Sequence, residues 1–433
     1  MSQTKRQMHL GVFVLGTGNH SAGWRYDGAA ASNNELPVIQ EIARIAERGK
    51  FDLLFVSDGL VMNPGDHPSF LCRFEPTTLI SVLSGMTTHL GLGATVSSSY
   101  SEPFNVARIF ASIDHISNGR AAWNVVTSAQ EAAARNFSRQ QHMEHEHRYE
   151  VANEFVDVVK GLWSCWRDGA IVADKVTGQF IDASKVQPLN HEGRFFQIKG
   201  PINMARSPQG HPVIIQAGGS PSGLELAART ADVVFSVVQE LQTAKAAYAD
   251  LKGRMAKYGR TPDEIAVLPG VMPIVGHTDA EAKAILSRLQ SFLTPENALV
   301  LVSHRLGYDV SGFPLDGPVP APPEGQGTRT FSRVLFETAR RDNMTLRDLY
   351  NLTAAARGHW VLSGTPKRIA DTLEQWFAEG AADGFNILPP YFPGAFSDFV
   401  DLVVPELQRR GLFRHDYEGT TLRGHFGLER IAD

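Results

Sequence analysis

Cysteine is scarce in this chain. Only Cys72 and Cys165 occur, so no disulfide framework holds the fold together. No run of about 18 apolar residues appears, and no membrane span is expected. The opening stretch MSQTKRQMHLGVF lacks the apolar centre of a signal peptide, which leads to the expectation of a cytoplasmic protein. Positive charge is also short: 41 Lys and Arg stand against 46 Asp and Glu, a formal net charge of −5. That balance argues against a dedicated nucleic-acid binder. Neither GxxxxGK nor HExxH is present, which excludes a P-loop and a helical zinc-protease site. His142 and His145 lie three apart without a convincing third ligand, so no metal is expected.

What is present is alternation. Apolar runs at His9–Leu15, Asp52–Val56, Gly91–Ser97, Gly119–Val126, Val213–Gln216, Asp232–Val237, Ile265–Val275 and Phe385–Leu388 read as eight strands. Helical spacing follows nearly every one, as in LPVIQEIARIAER at Leu36–Arg48 and in the longer segments Glu75–Leu90, Glu102–Ile116 and His145–Trp163. Repeated strand and helix units imply a parallel sheet with right-handed crossovers. Eight of them favour a closed (β/α)₈ barrel, with a doubly wound open sheet as the alternative, and put functional groups at the strand C-terminal ends. Two stretches break the rhythm within this single domain. Residues 165–211 read as a hairpin insertion. Residues 293–365 include PLDGPVPAPP at 314–323, whose five prolines and glycine limit regular structure and suggest a mobile cover over the barrel mouth.

The strand ends are polar in a repeated way. They read Val56-Ser57-Asp58, Thr95-Val96-Ser97, Asn124-Val125-Val126-Thr127-Ser128 and Gln216-Ala217-Gly218-Gly219-Ser220. Each alone is an ordinary turn or helix cap; four together point to a ligand site. In QAGGSPSG (216–223), Gly218 and Gly219 let backbone N–H groups approach an anion, Ser220 adds a hydroxyl, and the next helix offers its N-terminus. His145 and Tyr149 are four apart, on one helix face. GTGNHSAG at 16–23 is only a partial dinucleotide fingerprint and lacks the helix it needs, so NAD binding is rejected. His20, Trp24 and Arg25 then belong to a mouth loop placed to touch substrate or flavin.

The segments SNGRAAWNVVTS, HEHRYEVANEFVDVVKGLW, QAGGSPSGLELAARTADVVFS and GLFRHDYEGTTLRGHFGL together resemble the bacterial-luciferase-like flavin monooxygenases. The branch is the one with nitrilotriacetate monooxygenase component A and dibenzothiophene-sulfone monooxygenase, and the likeness runs over roughly residues 8 to 428. The resemblance implies a (β/α)₈ barrel using reduced FMN delivered by a separate NAD(P)H-dependent flavin reductase. With O₂ it would oxygenate a small organosulfur, amine or xenobiotic substrate. It implies flavin contacts at Asp58, Thr95, Asn124, His145 and Tyr149, and a phosphate cradle at Gly218, Gly219 and Ser220. Gly219 departs from the pattern, a serine being expected there in several relatives. His20 or His145 are the candidate catalytic bases, and Trp24 and Arg25 candidate substrate contacts. A homodimer or homotetramer is expected. Two other readings stay open: a deazaflavin F420-dependent oxidoreductase on the same barrel, and a non-catalytic flavin-binding protein.

Overall fold

A computed structural model of the chain describes residues 6–63, 66–323 and 330–433. Its strands are β1 (His9–Val14), β2 (Leu53–Val56), β3 (Gly91–Ser97), β4 (Ala121–Val126), β5 (His191–Glu192), β6 (Gln197–Ile198), β7 (Val213–Gln216), β8 (Val233–Ser236), β9 (Ala266–Val275), β10 (Trp360–Gly364) and β11 (Gly384–Ile387). The order β9-β11-β1-β2-β3-β4-β7-β8 closes through a β8–β9 pairing into an eight-stranded barrel, every pair parallel. The eight strands read from the sequence form this ring, with ends within two residues of those expected. The open-sheet alternative is excluded by the closure.

Side chains alternate across the barrel wall, as period-2 geometry requires. Phe13, Leu53, Phe55, Ala122, Ile215, Phe235 and Leu268 fill the interior. Leu54, Leu92, Trp123, Val125 and Ile214 pack outward against the helices, whose apolar stripes meet them. Helix Leu36–Arg48 buries Ile39, Ile42, Ala43 and Ala46 and stops at Gly49. Helix Pro76–Ser84 is shorter than its pattern suggested: it ends at Gly85, and the chain turns back towards β3.

Three aspartates sit one residue before a strand, and each accepts a backbone N–H from the neighbouring strand. Asp52 takes Leu10 N (2.8 Å), Asp232 takes Ile214 N (2.8 Å) and Asp383 takes Val267 N (2.9 Å). Each carboxylate is also paired with a cation: Arg414 at Asp52, Arg423 at Asp232 (3.0 Å) and Lys252 at Asp383 (3.1 Å). Arg414 and Arg423 come from the C-terminal tail, which therefore ties the strand N-terminal ends together.

The two interruptions differ from each other. Residues 165–211 form antiparallel pairings, β5 with β6 and bridges at Trp166–Val186 and Ile171–Ile181. The stretch 293–365, expected to be largely irregular, holds three helices instead: Pro295–Leu306, Thr330–Arg341 and Leu346–Ala356. Val302, Leu306, Tyr308, Leu335, Leu349 and Tyr350 give it an apolar cluster of its own. It also supplies β10, which pairs in parallel with Val271–Val275 of β9 outside the closed ring. The prolines broke only the segment between helices; apolar spacing on either side prevailed. Residues 324–329, which follow the proline-rich stretch within the expected cover, lie outside the described residues. No helix among the described residues is long and apolar enough to cross a membrane.

Arg120, in the turn before β4, makes no salt bridge among the described residues. Its guanidinium donates instead to Ser117 O (2.7 Å), Leu90 O (2.7 Å), Ser84 O (3.0 Å), Thr87 O (2.9 Å) and Thr87 Oγ1 (2.7 Å). It stitches the end of helix Pro76–Ser84 to β3 and β4. Arg120→Ala leaves several buried carbonyls unsatisfied at about 1–3 kcal/mol each. We expect a loss of at least about 3 kcal/mol in denaturant unfolding; a loss under about 1 kcal/mol would remove Arg120 from this role.

Buried histidines set the acid limit of stability. Burial lowers His20, His211 and His359 to about 3 and His425 to about 4. All four stay neutral when folded but bind protons below about 6.5 when unfolded. Their contribution is therefore complete above about pH 6.5 and is lost as pH falls towards 4. Each costs about 1.4 kcal/mol per pH unit within that window. Melting curves between pH 7.5 and 5 should show a steep fall in Tm, reduced by His211→Gln.

Candidate active site

The parallel barrel brings the C-terminal ends of β2, β3, β4 and β7 to one mouth, and a cavity of about 620 Å³ opens there. Its wall includes Asp58, Thr95, Thr127, Ser128, Tyr149, Gln216 and Gly218. Val300, Leu301 and Arg305 of helix Pro295–Leu306 also line it, so the long insertion does reach the mouth. The volume suits a cofactor-sized ligand.

On β3 and β4, Asn124 Nδ2 donates to Thr95 Oγ1 (2.9 Å), which in turn donates to Val56 O (3.1 Å). Register makes this possible, because Thr95 and Asn124 are directly paired across the sheet. Asn124 Oδ1 and Gln216 Nε2 are sealed from solvent and have no hydrogen-bond partner among the described residues. A buried acceptor and a buried donor left open cost stability. Gln216 lies on the cavity wall, so its open donor asks for a ligand acceptor there. By contrast Trp123, on the opposite face of β4, is structural: its Nε1 donates to Val96 O (3.1 Å) and its ring packs among Phe110, Phe155 and Trp163.

Asp58 closes another side. Its Oδ1 accepts Gly59 N (2.8 Å) and lies 3.9 Å from an Arg73 amine. Burial still raises its carboxyl above the ordinary range, against the pull of Gly59 N–H and Arg73. Burial thus makes this carboxyl easier to protonate than an exposed one.

At the end of β7, Ser220 caps helix Pro221–Thr230, its Oγ accepting Gly223 N (3.2 Å) and contacting Tyr149 Oη (3.4 Å). Gly218 is needed there for steric reasons, since a Cβ would stand 3.1 Å from Tyr149 Oη and 3.2 Å from Gly223 Cα. A Cβ on Gly219 would meet nothing within 4 Å. The close packing within the protein is thus at Gly218, and the space beside Gly219 is open.

The other sequence candidates fall elsewhere. His145 is half exposed, pairs with Glu146 (2.8 Å) and stands behind Tyr149, ring centroids 5.0 Å apart, outside the cavity wall. His20 is fully buried; its Nδ1 accepts Ala22 N (3.1 Å), so the proton sits on Nε2, which has no hydrogen-bond partner among the described residues. Burial keeps it neutral, a donor rather than an acid. Trp24 is exposed, and Arg25 donates to Phe292 O and lies over that ring at 5.2 Å. Neither reaches the cavity. Sequence reasoning overlooked His67, Phe70 and Arg73, all on the wall. The available signal was the length of the loop between β2 and the next helix, at the functional end of the barrel, with a histidine and an arginine in it.

Comparison with known proteins follows the same lines. The luciferase-like monooxygenase family model matches residues 8–383. N-acetyl-S-(2-succino)cysteine monooxygenase of Bacillus subtilis (strain 168) is 48% identical, over 99% of this chain and 98% of its own. Nitrilotriacetate monooxygenase component A of Aminobacter aminovorans is also 48% identical, over 98% of this chain and 97% of its own. The crystal structure of a riboflavin lyase with modified FMN and riboflavin superposes with a TM-score of 0.86 at 28% identity, covering 96% of that chain and 98% of this one.

The two glycines can be separated. Gly218→Ala should displace Tyr149 and weaken flavin binding at least fivefold, whereas Gly219→Ala should change it less than twofold. Fluorescence titration of both variants checks this; the reverse order would move the close approach to Gly219.

Proposed function

This chain belongs to the luciferase-like monooxygenase family, and on that footing we propose that it uses reduced FMN and O₂ to oxygenate a small organic substrate. The reduced flavin comes from a separate NAD(P)H-dependent reductase. A relative named as a component A supports a two-component system, and a similar structure bound to modified FMN supports the choice of flavin. The observation that carries the reading is the set of polar strand ends on one cavity wall, Asp58, Thr95, Thr127, Ser128 and Gln216, with Gln216 Nε2 sealed and without a hydrogen-bond partner among the described residues. A flavin ring edge carries acceptors that would satisfy that donor.

Reduced FMN, when bound, supplies the electrons that let O₂ deliver one oxygen atom to the substrate. The chain's own groups do the rest. Ser220, the Gly218–Gly219 backbone and the N-terminus of helix Pro221–Thr230 hold the phosphate. Tyr149 fixes that cradle, and His145 backs it. Thr95 and Asn124 orient the ring edge. Asp58 places a carboxyl on the cavity wall, with Arg73 3.9 Å away. Neutral His20 offers an N–H donor and does not act as a base. Helix Pro295–Leu306 limits water at the mouth.

Reduced FMN is lost to O₂ in free solution, so enzyme and reductase share one compartment, the cytoplasm where NAD(P)H is made. Self-association is supported by the exposed apolar tip of the 165–211 hairpin, where Val176 and Phe180 are 95% and 68% accessible.

Oxygen uptake should need enzyme, reductase, NADH and FMN together, and NADH with the enzyme alone should give no reaction. Oxygen-electrode assays with each component omitted decide this. Substantial NADH oxidation without reductase would overturn the two-component reading, and substrate turnover with reduced F420 and no O₂ uptake would replace it.

A further inference from the structure

Two hydroxyls meet on the cavity wall at the ends of β3 and β4, those of Ser97 and Ser128. Ser128 Oγ donates to Ser97 Oγ (2.7 Å), and Ser99 N donates to it as well (3.2 Å). A hydroxyl oxygen accepts through two lone pairs and carries one proton. Both lone pairs of Ser97 are thus occupied, and its proton has no acceptor among the described residues. Neighbouring hydroxyls give theirs to backbone: Thr95 to Val56 O (3.1 Å), Ser98 to Val126 O (3.1 Å) and Ser99 to Thr127 O (2.8 Å). Ser97 is 6% exposed and stands two residues beyond Thr95 on the same face of β3. Its proton is left for whatever fills the cavity.

A buried cation holds this pair from behind. Ser128 lies in the left-handed region, φ 47°, which a serine rarely adopts. Arg148, on helix His145–Trp163, donates through Nη1 to Ser128 O (2.8 Å) and Thr127 O (3.2 Å), and it makes no salt bridge among the described residues. Such backbone strain persists only where the surroundings impose it, and it collects at ligand sites. The rest of the wall has the same polarity. Gln216 Nε2 is a second open donor. The carboxylates on the wall already have donors, Asp58 from Gly59 N (2.8 Å) and Asp66 from Asn63 N (3.0 Å) and Nδ2 (3.2 Å).

We infer that Ser97 donates to the flavin ring and selects its reduced form, and that Arg148 is the positioning residue that sets this donor through Ser128. Reduction raises the electron density on the ring's carbonyl oxygens and N1. A fixed donor facing one of these acceptors therefore binds the reduced ring more strongly than the oxidised one. This rests on the monooxygenase reading above and deepens it, because a chain supplied by a separate reductase must take reduced FMN in the presence of the oxidised form. The phosphate cradle cannot make that distinction, since the phosphate is the same in both.

The test is anaerobic titration of the whole protein with oxidised FMN and with dithionite-reduced FMN, followed by protein fluorescence. The midpoint potential of bound FMN, measured by dye equilibration, gives a second readout. Wild type should bind the reduced form more tightly and so raise the potential above that of free FMN. Ser97→Ala should weaken reduced FMN about fivefold and oxidised FMN less than twofold, lowering the potential. Ser97→Thr keeps the hydroxyl and should stay within about twofold of wild type for both forms. Arg148→Gln should lose the preference in the same direction, and the Ser97 variants decide the matter if it does not fold. An equal loss for both forms, an unchanged ratio in Ser97→Ala, or a wild-type ratio in folded Arg148→Gln would overturn the inference. These titrations need no substrate, reductase or turnover, so the two readings fail separately. A Ser97-dependent preference without reductase-dependent O₂ uptake would sink only the monooxygenase reading. O₂ uptake with an unchanged preference in Ser97→Ala would sink only this one.

Discussion

Everything at the mouth of this barrel depends on how its base is held. Parallel strands place all eight C-terminal ends on one side, and the ring must then keep its register at the other. Asp52, Asp232 and Asp383 do this by one repeated contact, a carboxylate preceding one strand and accepting the N–H of the next. A buried carboxylate tolerates that position only with a cation beside it. Arg414, Arg423 and Lys252 supply one each, and the coulombic effect of Arg414 and Lys252 holds Asp52 and Asp383 below their ordinary range despite burial. Stability sits at the base, and the polar strand ends opposite are left for ligand.

The mouth shows what such a division permits. Gln216 keeps an open polar atom, Asp58 is pushed up by burial, and Arg73 and Arg305, from two separate parts of the chain, line one cavity. Each arrangement would weaken an ordinary core. Together they describe a surface completed by its ligands, with the electrons brought by a cofactor and the selectivity left to side chains.

Much of this could be read in the sequence, and the boundary is physical. The eight strands were legible because strands buried in a parallel barrel carry apolar runs, and the polar ends after them stood out by contrast. Thr95, Asp58, Tyr149 and Gly218 were found this way. β10 was missed because Trp360–Gly364 lies at the end of the long insertion, and its pairing with β9 is set by tertiary contact rather than pattern. The helices of the insertion were underestimated because five prolines outweighed the apolar spacing around them. Arg73 and Arg357 are far apart in the chain, and no local spacing announces that they meet at Phe70. His145 was overvalued for a related reason: sharing a helix face with Tyr149 does not bring both to the cavity.

Arg414 and Arg423 follow every strand of the barrel in the chain. During synthesis the ring of strands is therefore made before two of the three carboxylates at its base have their cations. Without that tail Asp52 keeps only His9 Nδ1 at 3.2 Å, and Asp232 has no other salt bridge among the described residues. The base of the ring is therefore completed only where residues 414 and 423 are present, so the segment that follows the last strand is part of the barrel itself and no mere appendage.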